Sequence, residues 1–129
     1  CFSGEYTKEQ ILKKICGQGG FVAYLGTNDA RVVENLANDG NEEAKLIFDA
    51  FCYQVSKAIG ECAAALKGQV DSIILTGGIA YGKPITKKIS ESTSWIAPIT
   101  VYPGEDEMLA LAQGGLRVLR GEEEAKEYK

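Results

Sequence analysis

The stretch IILTGGIAYGKP, residues 73–84, carries the residue types of a phosphate-binding loop. Gly77, Gly82 and Lys83 match the pattern G-x-x-x-x-G-K, in which backbone N–H groups cradle phosphates and the lysine supplies positive charge. Pro84 then stands where such a loop needs a Ser or Thr hydroxyl to bind magnesium. The next predicted strand runs into Pro-Gly and supplies no Asp for a magnesium site. We therefore expect no P-loop, and we interpret Lys83 as an incidental surface lysine.

The glycine pair Gly77-Gly78 suits a different kind of site at the end of a strand. Because neither residue has a Cβ, a nucleotide can lie against bare backbone there, and the N-terminus of a following helix favours phosphate. The structural alternative is a tight turn between a strand and a helix. This segment alone does not decide between the two.

Asp29 and Arg31 lie two residues apart in TNDARVVEN, beside a predicted helix start. The Asp29 carboxylate can hold the turn by bonding nearby backbone, and the planar Arg31 guanidinium can stack on a base or bind phosphate. The structural alternative is a helix N-cap followed by a surface arginine that pairs with Glu34 one turn later.

Three consecutive acids, Glu105, Asp106 and Glu107, follow Pro-Gly in the segment PGEDEM. Acids in the first turn of a helix are favoured by the helix dipole, which is the structural explanation. Carboxylates are also suitable magnesium ligands or holders of magnesium-bound water. The residues alone do not indicate which of the three would bind the metal.

The order of the predicted elements indicates an α/β domain with a mainly parallel sheet flanked by helices. Helices are predicted over residues 7–16, from 28 or 29 to about 37, 42–67, 84–92 and 105–120, and strands over residues 70–76 and 96–102. Gly68 is expected to cap the longest helix, and FVAYLG, residues 21–26, is expected to be a β-prone run or a buried loop. The last helix contains Gly114 and Gly115, which predicts close packing against another element.

The strand at residues 70–76 has an apolar, β-branched centre and is expected to be buried and central in its sheet. A parallel sheet of two or three strands leaves an open edge. We therefore expect further strands from upstream of Cys1 or from a partner chain, and we regard homodimer formation as compatible with this edge.

The composition excludes several classes of protein. With 129 residues, 45% of them hydrophobic, and a net charge of −4, the chain is predicted to be one globular domain that binds neither nucleic acid nor membrane. Its four cysteines form no C-x-x-C pair and are expected to be reduced core thiols, which predicts a cytoplasmic location. The absence of His removes the commonest general acid or base.

Three segments together resemble the C-terminal part of the butyrate kinases, a branch of the acetate kinase family. The resemblance covers nearly all 129 residues in order, through GTNDARVVENLANDGNEEAKLIFDAFCYQVSKAIG, VDSIILTGGIAYGK and PITVYPGEDEMLALAQGGLRVLRGEEEAKEY. It implies an actin-like fold of the sugar kinase and heat-shock ATPase class. It also implies that residues 1–129 are the C-terminal nucleotide-binding portion of a two-domain carboxylate kinase.

The resemblance also implies a set of site residues. Ala30 stands where acetate kinases carry an aromatic residue, which favours the butyrate kinase branch, and Gly82 replaces an Asn found in acetate kinases. Asp106 falls opposite the family's magnesium-associated Glu, with Glu105 and Glu107 as substitutes. The nucleotide-contacting residues implied are Asp29, Ala30, Arg31, Gly77, Gly78, Ile79 and Gly82.

The activity implied by the resemblance is the reversible, ATP-dependent phosphorylation of a short-chain carboxylate, such as butyrate or a branched-chain acid, to acyl phosphate and ADP. Its cofactors are ATP or ADP and Mg²⁺, and its catalytic residues and carboxylate pocket lie upstream of Cys1. The chain alone is therefore expected to have no kinase turnover. An alternative is a non-catalytic nucleotide-binding or assembly module of the same fold.

Overall fold

A computed structural model describes residues 2–127 of the chain. All five predicted helices and both predicted strands are confirmed, with shifted ends. The helices are α1 (Lys8–Ile15), α2 (Phe21–Leu25), α3 (Ala30–Asn38), α4 (Glu42–Ala65), α5 (Lys83–Thr93) and α6 (Glu107–Leu119), the strands are β1 (Ile73–Gly77) and β2 (Ile99–Pro103), and a 3-10 turn covers Gly78–Tyr81.

The two strands run parallel, as predicted, in a register that pairs Ile73 with Ile99 and Gly77 with Pro103. Both begin three residues later than expected. Before β1, the Val70 N–H donates to the Gly68 carbonyl in the turn that follows α4. The ladder begins only where the Ile73 N–H donates to the Pro98 carbonyl at 2.8 Å. Beyond the ladder, Gly77 and Gly104 exchange two backbone hydrogen bonds of 3.1 and 3.2 Å, which close the carboxyl end of the sheet.

One apolar core joins α3, α4 and α5. Val33 of α3 and Ile85 of α5 are almost fully buried, and both belong to the same cluster as Phe48 of α4. Fully burying side chains of this size contributes about 1.5–3 kcal/mol each. On the surface above the core, the Lys88 ammonium of α5 donates to the Asp49 carboxylate of α4. The core therefore fixes the position of α5 relative to α3.

The prediction for FVAYLG is wrong, because residues Phe21–Leu25 form the short helix α2. The Phe21 ring lies 4.9 Å from the Phe51 ring of α4, measured between centroids, and Leu25 also packs against the core. Gly26 ends the helix in the left-handed conformation at φ 69°. Packing against α4 has overridden the β preference of the aromatic and β-branched residues in this run.

The end of α4 also differs from expectation. The Gly68 N–H donates to the Ala63 carbonyl and the Lys67 N–H to the Ala64 carbonyl, both at 2.9 Å, which is the Schellman pattern. In this pattern the residue after the C-cap Leu66 adopts the left-handed conformation, and that residue is Lys67 at φ 54°. The position predicted for Gly68, directly after the C-cap, is therefore occupied by Lys67, and Gly68 lies one residue further along the chain.

Several apolar surfaces predicted to be buried are exposed among residues 2–127. Strand β1 pairs with β2 alone, and Ile74 is 61% exposed, so β1 is not a central strand within this part of the chain. On α6, Met108 and Leu119 are more than 80% exposed. A Cβ added at Gly115 would meet no atom within 4 Å, so the close packing expected there is also absent from this range.

The cysteines follow the prediction only in part. Cys16, Cys52 and Cys62 are free thiols, as expected, but only Cys52 is buried, while Cys16 and Cys62 are exposed. Cys1 lies outside the described residues. Within residues 2–127, no helix is both long enough and apolar enough to cross a membrane.

Lys67 provides a test of the helix end. Replacing Lys67 with Gly should raise the free energy of unfolding by about 0.5–1 kcal/mol, because glycine adopts a left-handed conformation without the Cβ strain. Ala50→Gly, at an exposed site inside α4, is the control. This change should lower the free energy of unfolding by about 1 kcal/mol. Urea unfolding measures both, and a destabilised Lys67→Gly chain would contradict the described helix end.

Candidate functional site

A groove of about 910 Å³ lies between the start of α3 and the start of α5. It brings together residues from two distant segments of the chain, which the sequence analysis had singled out separately. Six of the seven proposed nucleotide-contacting residues line it, namely Asp29, Ala30, Arg31, Gly78, Ile79 and Gly82. Gly77 does not line the groove and lies one residue before Gly78.

The 3-10 turn that forms one wall depends on glycine at position 77, before its first residue, and at position 104, the bridging partner of Gly77. Gly77 has φ 85°, and a Cβ there would lie 3.2 Å from Glu105 Oε1. A Cβ on Gly104, the bridging partner of Gly77, would lie 2.6 Å from Tyr81 Oη, so a side chain at this position would collide with the tyrosine. Gly78 differs, because a Cβ there would meet no atom within 4 Å. Its backbone is open to the groove.

The opposite wall begins with an ion pair between neighbours. Asp29 caps α3 by accepting from the Arg31 N–H at 2.9 Å, and its carboxylate also accepts from the Arg31 guanidinium at 2.7 and 3.0 Å. The predicted N-cap is confirmed, but the arginine pairs with Asp29 and not with Glu34. The hydrogen bonds from the Arg31 side chain and then from its backbone lower the pKa of Asp29 to about 2.

The three acids of PGEDEM occupy different positions, and the expectation that all lie in the first turn of a helix is wrong. Asp106 is the N-cap of α6 without a side-chain capping bond, Glu107 lies in the first turn, and Glu105 precedes the helix. Of the three, Glu105 is the one whose carboxylate lies beside Gly77, 3.2 Å from the place that a Cβ on this glycine would occupy. Within residues 2–127, no group of three or more Cys, Asp and Glu side chains forms a metal cage.

Several residues that line the groove were not among the predicted site residues. Glu34, Asn35, Tyr81 and Lys83 also line the groove, so Lys83 belongs to its wall although we had interpreted it as incidental. Glu34 follows Ala30 by one helical turn, and this i, i+4 spacing could have identified it. Tyr81 gave no such signal, because its position depends on the bridge between Gly77 and Gly104.

The Asp29–Arg31 pair predicts a pH dependence. The pKa of Asp29 lies below its ordinary value of 3.8, so the pair contributes stability that is complete above pH 3.8 and is lost as pH falls towards about 2. An NMR titration of the Asp29 carboxyl group should find the low pKa in the wild type and a higher one in Arg31→Gln. The rise should be partial, because the backbone N–H of residue 31 still donates. An ordinary pKa in the wild type would mean that the ion pair does not form in solution.

The chain is similar to known kinases over almost its full length. It is 64% identical over 129 residues to butyrate kinase 2 of Clostridium acetobutylicum, covering all of this chain and 36% of that protein. It is 57% identical over 128 residues to probable butyrate kinase 2 of Caldanaerobacter subterraneus subsp. tengcongensis, again covering 36% of the relative. The chain thus spans about a third of the length of these relatives.

The fold has a counterpart among solved structures. The crystal structure of Porphyromonas gingivalis acetate kinase superimposes with a TM-score of 0.74 at 21% identity, covering 88% of this chain and 35% of that one. This likeness supports the predicted partial actin-like fold. The family model described as the acetokinase family matches residues 3–92, which include α1 to α4, β1, the 3-10 turn and most of α5. The chain therefore belongs to the acetokinase family.

Proposed function

We propose that this chain is the nucleotide-binding portion of a two-domain kinase that transfers the terminal phosphoryl group of ATP to a short-chain carboxylate, reversibly giving acyl phosphate and ADP. The observation that carries the proposal is the groove. Residues 29–31, at the start of α3, and residues 78–82, after β1, lie on its two sides. Relatives named butyrate kinase support butyrate, or branched acids of similar size, as the substrate.

The groove has the chemistry that a nucleotide requires. The exposed backbone at Gly78 allows close approach, and Ile79, which is 42% exposed, offers an apolar surface to a base. Ala30 leaves the opposite side of the groove without a bulky side chain. The Arg31 side chain is 86% exposed even while paired with Asp29, so the guanidinium remains accessible to a base or a phosphate.

Magnesium would enter with the nucleotide. Mg²⁺ usually binds one or two carboxylates together with substrate phosphates and water, so this site requires no cage of three acids. We favour Glu105 over Asp106 and Glu107 because its carboxylate lies against Gly77, next to the groove. When bound, the metal would neutralise phosphate charge.

A magnesium titration of ATP binding tests this choice. Glu105→Gln should need a higher Mg²⁺ concentration for ATP binding than Glu107→Gln, because it lacks the proposed ligand. Equal Mg²⁺ requirements in the two variants would contradict the choice of Glu105.

The remaining machinery is proposed to lie in segments outside these 129 residues. Phosphoryl transfer depends mainly on positioning and on neutralising charge around the transferred group, which requires cationic groups on both sides of a cleft. No catalytic residue is assigned to this chain, and we expect it to have no turnover alone. The free thiols support a cytoplasmic setting, and the unpaired edge of β1 within the described range is compatible with a homodimer.

The direct test is an acyl-phosphate trapping assay on the complete protein that contains this chain. With MgATP, butyrate or branched four- and five-carbon acids should give trapped acyl phosphate, and acetate should give little. The 129-residue chain serves as the control and should give none. ATP binding without product from any acid would contradict the kinase proposal and favour a nucleotide-binding or assembly module.

Gly78 tests whether the groove is the nucleotide site. Gly78→Leu should abolish ATP binding, measured by calorimetry on the complete protein, because the new side chain would fill open groove space without striking any atom of the chain at Cβ. Circular dichroism should show unchanged helix content. Gly115→Leu on α6 is the matched control, since its Cβ also meets nothing within 4 Å and it lies outside the groove. Undiminished binding by Gly78→Leu would place the nucleotide elsewhere.

A further inference from the structure

The charged side chains that line the groove differ in whether the described residues supply them with a partner. Asp29 and Arg31 neutralise each other through two side-chain hydrogen bonds. Glu34, on the next turn of α3, lines the same groove and is half-buried. No cation or hydrogen-bond donor among the described residues lies within bonding distance of its carboxylate. Glu34 is therefore an acceptor in the groove wall that the described part of the chain leaves without a donor.

Glu34 lies beside Gly82, at the start of α5. Glu34 Oε2 is 3.5 Å from the place that a Cβ on Gly82 would occupy, which is an ordinary van der Waals distance. The Gly82 N–H does not donate to the Glu34 carboxylate, because it donates to the Ile79 carbonyl at 3.0 Å. A partly desolvated acceptor gains most from a donor that arrives with a ligand.

The chemistry of a carboxylate restricts which part of a nucleotide can lie beside it. A carboxylate accepts hydrogen bonds and repels phosphate, so the ligand group must be an O–H or N–H donor. In ATP these donors are the ribose hydroxyls and the amino group of the base. Resting on the proposed function, we propose that Glu34 positions the nucleoside by accepting a hydrogen bond from one of these donors, with the phosphates directed away from it.

Calorimetry on the complete protein tests this with three nucleotides. MgATP is compared with its 2′,3′-dideoxy analogue, which lacks the ribose donors, and with purine riboside triphosphate, which lacks the amino group. We expect one analogue to bind the wild type about tenfold more weakly than ATP, the loss typical of a hydrogen bond to a charged group. The Glu34→Ala substitution should weaken ATP binding by a similar factor. The variant protein should then bind that analogue and ATP with equal affinity. The analogue affected identifies the donor.

Controls separate this inference from the proposed function. Glu61→Gln removes an exposed carboxylate on α4 outside the groove and should bind all three nucleotides as the wild type does. Glu34→Gln is the second variant, nearly isosteric with the native residue, and should show an intermediate loss. Unchanged ATP affinity and unchanged analogue ratios in folded Glu34→Ala would overturn the role of Glu34 and leave the nucleotide groove intact. No nucleotide binding by the wild type would overturn both.

Discussion

Everything in the proposed site depends on the small apolar core that holds α3 against α5 through α4. Val33 and Ile85 are buried in this core, and each lies within two residues of a groove-lining neighbour, Glu34 and Lys83. The helical turns that bury apolar side chains on one side therefore present polar side chains on the other. Ile85 also lines the groove itself, so a loss of packing at Val33 or Ile85 would alter the width of the groove.

The second wall is built mainly from backbone. Paired backbone groups of Gly77 and Gly104 close the sheet, and Tyr81 lies against Gly104, so the turn between them has a fixed path. Positive φ disfavours side chains at both Gly77 and Gly104, and a side chain at Gly104 would also displace Tyr81, whereas a Cβ at Gly78 would meet no atom within 4 Å. What distinguishes Gly78 from other open glycines such as Gly115 is that it lines the groove, where the proposed nucleotide would lie.

Much of this arrangement was predictable from local patterns, and the failures have physical causes. The long helix α4, the cap at Asp29 and the parallel strands are predicted by local signals, and all three are confirmed. The helix at residues 21–25 forms because it packs against α4, which is distant in sequence. The exposure of α6 reflects a lack of such packing within the described residues. Hydrophobic periodicity predicts neither, because it gives no information on contacts between distant segments. In the groove, residues 29–31 and the glycine segment were identified separately. The structural alternative paired Arg31 with Glu34, whereas Arg31 pairs with Asp29, because spacing does not reveal which of two carboxylates an arginine contacts.

The pairing of β1 with β2 has a consequence for folding. The Ser72 hydroxyl of the segment before β1 donates to the Pro98 carbonyl across 26 residues of chain, whereas α3 and α4 are joined by a short turn. Local helix contacts form faster than non-local strand contacts, so one wall of the groove should be in place before the other. A nucleotide that requires both walls would bind only the completed fold, and by mass action it would draw late intermediates towards the native state.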